Sequence, residues 1–545
     1  MASIGAIDIA HPSLIRRWPP AARLARMIGP GSTATAGAAP GWPGRPGRPG
    51  WLDWLDWFGR VVAEINHARG GLIVDVVLYG AGAIFAGLTA ANASLLPHRA
   101  WGHIAVWGYA AATLVALLQA VAPGRRRLAG TSARAFLTAV TFVATAVLPM
   151  LVEAVQRAGG RLDRAQEEVG VVESGGVRLW HTGTPYLSHD AIAALAPGLR
   201  LDAYLPYQPA MAVFGLPRAI GHAVWWTDAR VWFTATLVVT IGWAVVLLRR
   251  RGRGSGTGSG SGRSDRNPGT VARIAAGARA ADDGGNAALD TALVRAVQAA
   301  TVFPICALTI ATGGDDLPVL GLSLLALAFA ARGRPGAAGV AIGIAGALKL
   351  FAWPVAVILI VLAAADGSRR RVGRPTGGGR TRSLRHERDW PAALRCAAGA
   401  IGIPVVVLIP PFIVNRGAAI ENVIRFPLGH GLVKSPAASP FPGHLIADDV
   451  AGGSTIATGL LALAAVVIAG WLIWRPPTDA AEAAAIAAWS LVAAIALIPS
   501  TRFGYLLYPV AYTCWIPALR PRTASGATGP PTTAAGVIAA DPAVS

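Results

Sequence analysis

Negative charge is what this sequence most lacks. Of 545 residues only 28 are Asp or Glu, against 48 Lys and Arg. Charge of either sign makes up 14% of the chain, where a soluble domain carries roughly 25%, so a large water-facing surface is excluded. Cysteine is nearly absent too. Cys306, Cys396 and Cys514 lie in or beside apolar runs without CxxC spacing, which excludes a disulfide framework and a thiolate metal site. No basic groove with interleaved aromatics is present, so the net charge of +20 does not signal nucleic acid.

Hydrophobic residues make up 54% of the chain and fall into runs of about 20, the length that crosses a bilayer core. The runs lie near 72–95, 103–122, 134–153, 228–248, 296–312, 317–332, 338–349 with 352–365, 393–414, 455–474, 482–499 and 503–519. They predict an all-α polytopic membrane protein with about 11–12 membrane or half-membrane helices. Residues 1–50 and 521–545 read as disordered. In 51–67, Trp51, Trp54, Phe58, Val62 and Ile65 share one helical face, which suits an amphipathic helix lying in the interface.

Arginine fills the connections at 123–134, 249–266, 332–336 and 368–388, which should therefore be cytoplasmic. Segment 249–290 reads as a flexible cytoplasmic loop. The termini fall on the cytoplasmic side, and 154–227, 312–316 and 415–454 fall outside. Residues 338–365 lie between two basic loops and are interrupted at Lys349 and Pro354. They read as two short helices that enter and return, a break tolerated only beside a cavity.

Four polar groupings fall on the outer side. Glu167, Glu168 and Glu173 crowd between apolar runs, ahead of a Gly-Thr-Pro-Tyr turn ending at Tyr186. A carboxylate at an apolar boundary can serve as a general base, and a solvated loop charge is the plainer reading. Tyr204 and Tyr207 sit in a Tyr-Pro segment too broken to span. Asp315 and Asp316 stand at a span edge, where acids are functional candidates or helix caps. Lys349 lies mid-run and needs a partner, either a lipid phosphate or these aspartates. The loop 425–447 gathers Arg425, His430, Lys434 and His444, cations suited to a phosphate, and Arg502 emerges on the same side.

These residues together resemble glycosyltransferase family 87, the polyprenyl-phosphate-mannose-dependent α-mannosyltransferases of the GT-C fold. The likeness rests on "EVGVV…GTPY", "YLPYQP", "ALKLFAWP" and "RFGYLLYP", and covers residues 134–520. Two extra helices, within 72–133, precede it. The resemblance implies a membrane enzyme that transfers a hexose, mannose first, with inversion, to an envelope glycolipid or glycan at the outer face of the cell membrane. Glu168 stands where the family carries its aspartate base. The resemblance leaves Lys349, Asp315, Asp316, Tyr186, Tyr204, Tyr207, Arg425, His430, His444 and Arg502 to hold substrate. No cofactor is expected, and metal dependence is left open. On the residues alone, a lipid-linked-sugar transporter or flippase and a non-catalytic subunit of an envelope-synthesis complex remain alternatives.

Overall fold

A chain this poor in acids has few ways to neutralise an arginine inside lipid, and the computed structural model shows where it does so. Residues 68–121, 129–253, 268–365 and 388–521 are described. The interfacial helix expected at 51–67 and nearly all of both expected disordered termini lie outside them.

Among the described residues all regular structure is helical, apart from one isolated bridge between Ala438 and Thr501. Helices α1 (Leu72–Asn92) and α2 (Leu96–Val121) form a hairpin, and α3 runs from Thr131 to Ala158. After α4 (Glu167–Thr182) and a run of short turns come α5 (Ala229–Arg253) and α6 (Pro268–Thr301). Then follow α7 (Pro304–Thr312), α8 (Asp316–Ala331), α9 (Pro335–Leu348) and α10 (Trp353–Ala365). The last long helices are α11 (Trp390–Ile420) and, past a short helix at Pro442–Asp449, α12 (Gly453–Trp474), α13 (Ala480–Leu497) and α14 (Leu507–Leu519). Seven described helices are long and apolar enough to cross a membrane, and an eighth if the end of α6 and α7, bent by 46°, count as one. Helices α8, α9 and α10 are apolar but shorter.

Two segments differ from the sequence reading. The stretch 154–227 is not an open loop: α3 continues to Ala158, and Glu167 opens a 16-residue helix. Val169, Val172, Glu173 and Gly176 are buried and share the inward face of this helix. The flexible segment expected over 249–290 is helical up to Arg253 and again from Pro268.

The hairpin at 338–365 forms as expected. The start of α9 at Pro335 and the end of α10 at Ala363 line one cavity, together with Arg332, Asp389 and Thr478. Lys349, between the two helices, lies at the other end of the bundle. Helix α9 reaches α11 through glycine: a Cβ on Gly339 or Gly343 would strike the backbone of Cys396 or Gly399. Small residues of this kind let helices approach where no hydrophobic effect drives them together.

Two buried ionic clusters bolt the bundle. At the end away from Lys349, Asp75 accepts from Arg134 Nε at 2.5 Å and pairs with Arg295 at 3.0 Å. This ties α1 to α3 and α6. At the other end, Arg157 of α3 grips Glu173 of α4 through two hydrogen bonds, 2.7 and 2.8 Å, and reaches Asp228 at 3.1 Å. Arg230 pairs with Asp228 at 2.8 Å and donates to the carbonyl of Ala311 at 2.7 Å. Burial pushes the Asp228 carboxyl up, but the Arg230 and Arg157 guanidiniums outweigh it and hold it at about 2.

Glu173 is therefore a buried structural anion, where the sequence alone left it a solvated loop charge. Removing one partner of such a cluster leaves an uncompensated charge. Glu173→Gln should lower unfolding stability by about 3–5 kcal/mol, whereas Glu167→Gln, at an exposed position, should stay within about 0.5 kcal/mol. Thermal unfolding of both detergent-solubilised variants checks this, and equal melting temperatures would refute the cluster's role.

Candidate active site

Lys349 ends α9 in an extended conformation, and its side chain reaches the turn between α7 and α8. Gly314, at φ +98°, takes that turn through the left-handed region, so Asp315 and Asp316 follow at the start of α8. Lys349 Nζ donates to Asp315 Oδ2 at 3.0 Å and to Asp316 Oδ1 at 2.6 Å. The Tyr207 and Tyr505 rings flank the ammonium, with centroids at 5.0 and 5.5 Å. The Tyr508 hydroxyl donates to Asp316 Oδ1 at 2.8 Å. The buried lysine thus has the partner its burial demanded. Neither aspartate side chain accepts a capping bond from the α8 N-terminus, so their role is this pair.

The start of α4 brings a second charge pair to the same place. The backbone N–H of Gln166 donates to Thr312 O at 2.7 Å, pinning the helix start against the end of α7. Two residues on, the Glu168 carboxylate pairs with Arg502. The Arg502 backbone is held in turn, because Thr501 bonds to Ala437 and Ser439 across the isolated bridge.

Two chambers meet at this pair. The larger, about 840 Å³, runs from Glu168, Arg502 and Lys349 past Asp315 and Asp316 to apolar side chains of α1, α2 and α7. The smaller, about 220 Å³, opens from the same residues toward Asp202, Tyr204, Phe426, Ser435 and Ser500. Tyr204 is fixed there: its ring stacks on Phe426 at 4.1 Å, and its hydroxyl donates to Glu421 at 2.8 Å. Tyr207 lines both chambers. Burial and the nearby Asp315 push its phenol pKa well above the usual value, which leaves it a hydrogen-bond donor.

Of the sequence-predicted residues, Glu168, Asp315, Asp316, Lys349, Tyr204, Tyr207 and Arg502 line the chambers. Tyr186 does not: it is buried and donates to the Tyr207 carbonyl at 2.9 Å, supporting the Tyr-Pro segment from behind. The cation cluster expected of the loop 425–447 does not assemble. Arg425 points outward and pairs with Glu421 at 3.4 Å, His430 is exposed, and His444 bonds to the Pro499 carbonyl at 3.0 Å. Sequence reasoning missed Tyr505, Tyr508 and Glu421. The two tyrosines stand three apart in "GYLLYP", the spacing that puts both on one helical side. Among the described residues no group of three or more His, Cys, Asp or Glu is placed to hold a metal ion.

The profile of glycosyltransferase family 87 matches residues 204–501, more than half of the chain. The chain belongs to glycosyltransferase family 87. The described residues carry the expected all-α polytopic architecture, with seven helices long and apolar enough to cross a membrane. A crystal structure of ArnT from Cupriavidus metallidurans bound to undecaprenyl phosphate is also similar, at 16% identity and a TM-score of 0.39. That match covers 70% of this chain, which spans only 59% of the ArnT chain. No curated protein matches. Within the family 87 region lie Lys349, Asp315, Asp316, Tyr204 and Tyr207, while Tyr505 and Tyr508 of the same cluster follow it. Glu168 and helices α1 and α2 precede it, and Arg502 stands one residue beyond.

Lys349→Met would leave Asp315 and Asp316 buried without their cation. Breaking such a pair should cost about 3–5 kcal/mol, read as a lowered melting temperature. Adding Asp315→Asn should recover part of the loss, because neighbours in one network are not additive. A double variant whose loss equals the sum of the singles would show that the cluster does not act as a unit.

Proposed function

We propose that this family 87 enzyme transfers a hexose, mannose first, from a polyprenyl-phosphate sugar to an envelope glycolipid or glycan at the outer face of the cell membrane. One observation carries the reading: the Glu168–Arg502 pair stands where two chambers meet, with a buried lysine cluster alongside. A base and a cation side by side match the needs of a displacement in which an acceptor hydroxyl loses a proton as a lipid phosphate departs.

In this mechanism the donor phosphate enters beside Arg502 and draws the guanidinium from Glu168. The freed carboxylate accepts the proton of the acceptor hydroxyl, whose oxygen attacks C1 of the sugar. The bond from C1 to the phosphate oxygen breaks, and the lipid phosphate leaves with that electron pair. A single displacement inverts C1, so a β-linked donor gives an α-linked product. Arg502 balances the charge gathering on the phosphate. Lys349, already held by two carboxylates, keeps Asp315 and Asp316 in place and adds its field to the same side. Tyr204, its ring held by Phe426 and its hydroxyl by Glu421, shapes the acceptor chamber, and Tyr207 faces both chambers.

The test is hexose transfer from polyprenyl-phosphate-mannose to cell glycolipids, read as a mass gain of one hexose at matched expression. Glu168→Gln should lose about 10²–10⁴ in turnover, and Glu168→Asp should retain part of the activity. Wild-type turnover in Glu168→Gln, with Asp316→Asn inactive, would move the base to Asp316.

The outer-face placement follows from the arginine-rich connections. In a cysteine-free background, an impermeant thiol reagent applied to spheroplasts should label Ser174→Cys and spare Arg334→Cys, both exposed positions. The opposite pattern would put the chambers on the cytoplasmic side.

A further inference from the structure

Helices α1 and α2 precede the family 87 region, yet they are built into the site. A hairpin serving only as an anchor needs no polar bond to the rest of the bundle. This one makes several, all buried. The Trp101 indole donates to Thr145 O at 2.8 Å, inside a π turn of α3, and the Tyr109 hydroxyl donates to Val302 O at 2.7 Å. Asp75 joins α1 to Arg134 and Arg295. At the chamber end, Phe85, Leu95 and Pro97 face the larger cavity, opposite Ile305 and Leu308 of α7. The Phe85 ring is held edge-on against Trp101 at 6.0 Å. His98 lines the same cavity, and its Nε2 lies 2.5 Å from Gln166 Nε2, the residue whose backbone sets the start of α4 and so the place of Glu168.

We propose that the α1–α2 hairpin is the chain-binding wall of the donor site. Phe85, Leu95 and Pro97 hold the head-proximal isoprene units of a lipid phosphate, and His98 couples that wall to Glu168 through Gln166. The assignment rests on the polyprenyl-phosphate reading above. Its basis is the pairing of surfaces: an apolar wall ending at Arg502 and Lys349 suits an amphiphile with an anionic head. The smaller chamber, with Asp202, Tyr204, Ser435 and Ser500, suits a hydroxylated acceptor instead.

Two measurements test this. First, a polyprenyl phosphate carrying a diazirine in its first isoprene units is photolysed with the full-length protein in nanodiscs, and the labelled peptides are mapped. Label is expected within 72–121, and label confined to 201–207 or 426–437 would overturn the assignment. Second, Leu95→Trp narrows the wall. It should raise the ratio of donor KM to acceptor KM by about 10-fold, the scale of a hydrophobic pocket contact. Leu95→Ala should shift the same ratio less. An unchanged ratio in both variants, or a rise in acceptor KM instead, would overturn the wall. Hairpin labelling without any hexose transfer would refute the glycosyl-donor reading while the wall stands. Transfer without hairpin labelling would do the reverse.

Discussion

An ammonium closed between two carboxylates inside an apolar bundle is the contact on which the site depends. Lys349 belongs to the turn of one helical hairpin, and Asp315 and Asp316 to the turn that starts α8. None of the three can stay charged in that setting without the others. Their pairing fixes the α9–α10 hairpin against α7 and α8. The Tyr207 and Tyr505 rings then close on the lysine, and the Tyr508 hydroxyl on Asp316. Segments far apart in sequence, near residues 207, 315, 349 and 505, converge on one cation.

The second charge pair is placed by different means. Arg157, Glu173, Asp228 and Arg230 form a rigid ionic base under α4. The Gln166 backbone sets where that helix begins. Glu168 inherits its position from both, and Arg502 meets it from a loop held by the Ala438–Thr501 bridge. Division of labour among the carboxylates follows: Glu173 and Asp228 hold the architecture, and Glu168 stands at the cavity.

Much of this was legible in the sequence, for reasons that can be named. A lysine inside an apolar run has to be paired, and the two nearest acids at a span edge proved to be its partners. A run between two arginine-rich connections, broken at Lys349, reads as a helical hairpin, and α9 and α10 form one. What stayed hidden was direction. Arg425, His430 and His444 are as cationic as Arg502, but nothing in their spacing says that they turn away from the cavity. Helix α4 was hidden because its buried face carries Gly175, Gly176 and a charged Glu173, which do not read as apolar. Tyr505 and Tyr508 were hidden inside a run that reads simply as a span.

Helices α8, α9 and α10 hold 16, 14 and 13 residues. At ~1.5 Å per residue they rise only about 20–24 Å, while a hydrocarbon core is about 30 Å thick. Helix α11, 31 residues with a break at Asn415, is long enough before that break to cross the full depth. Three adjacent helices shorter than the hydrocarbon core are a hydrophobic mismatch built into the protein itself. A donor of the proposed lipid-phosphate class would meet Lys349 at the turn of such a short hairpin, and turnover should then respond to the thickness of the surrounding bilayer.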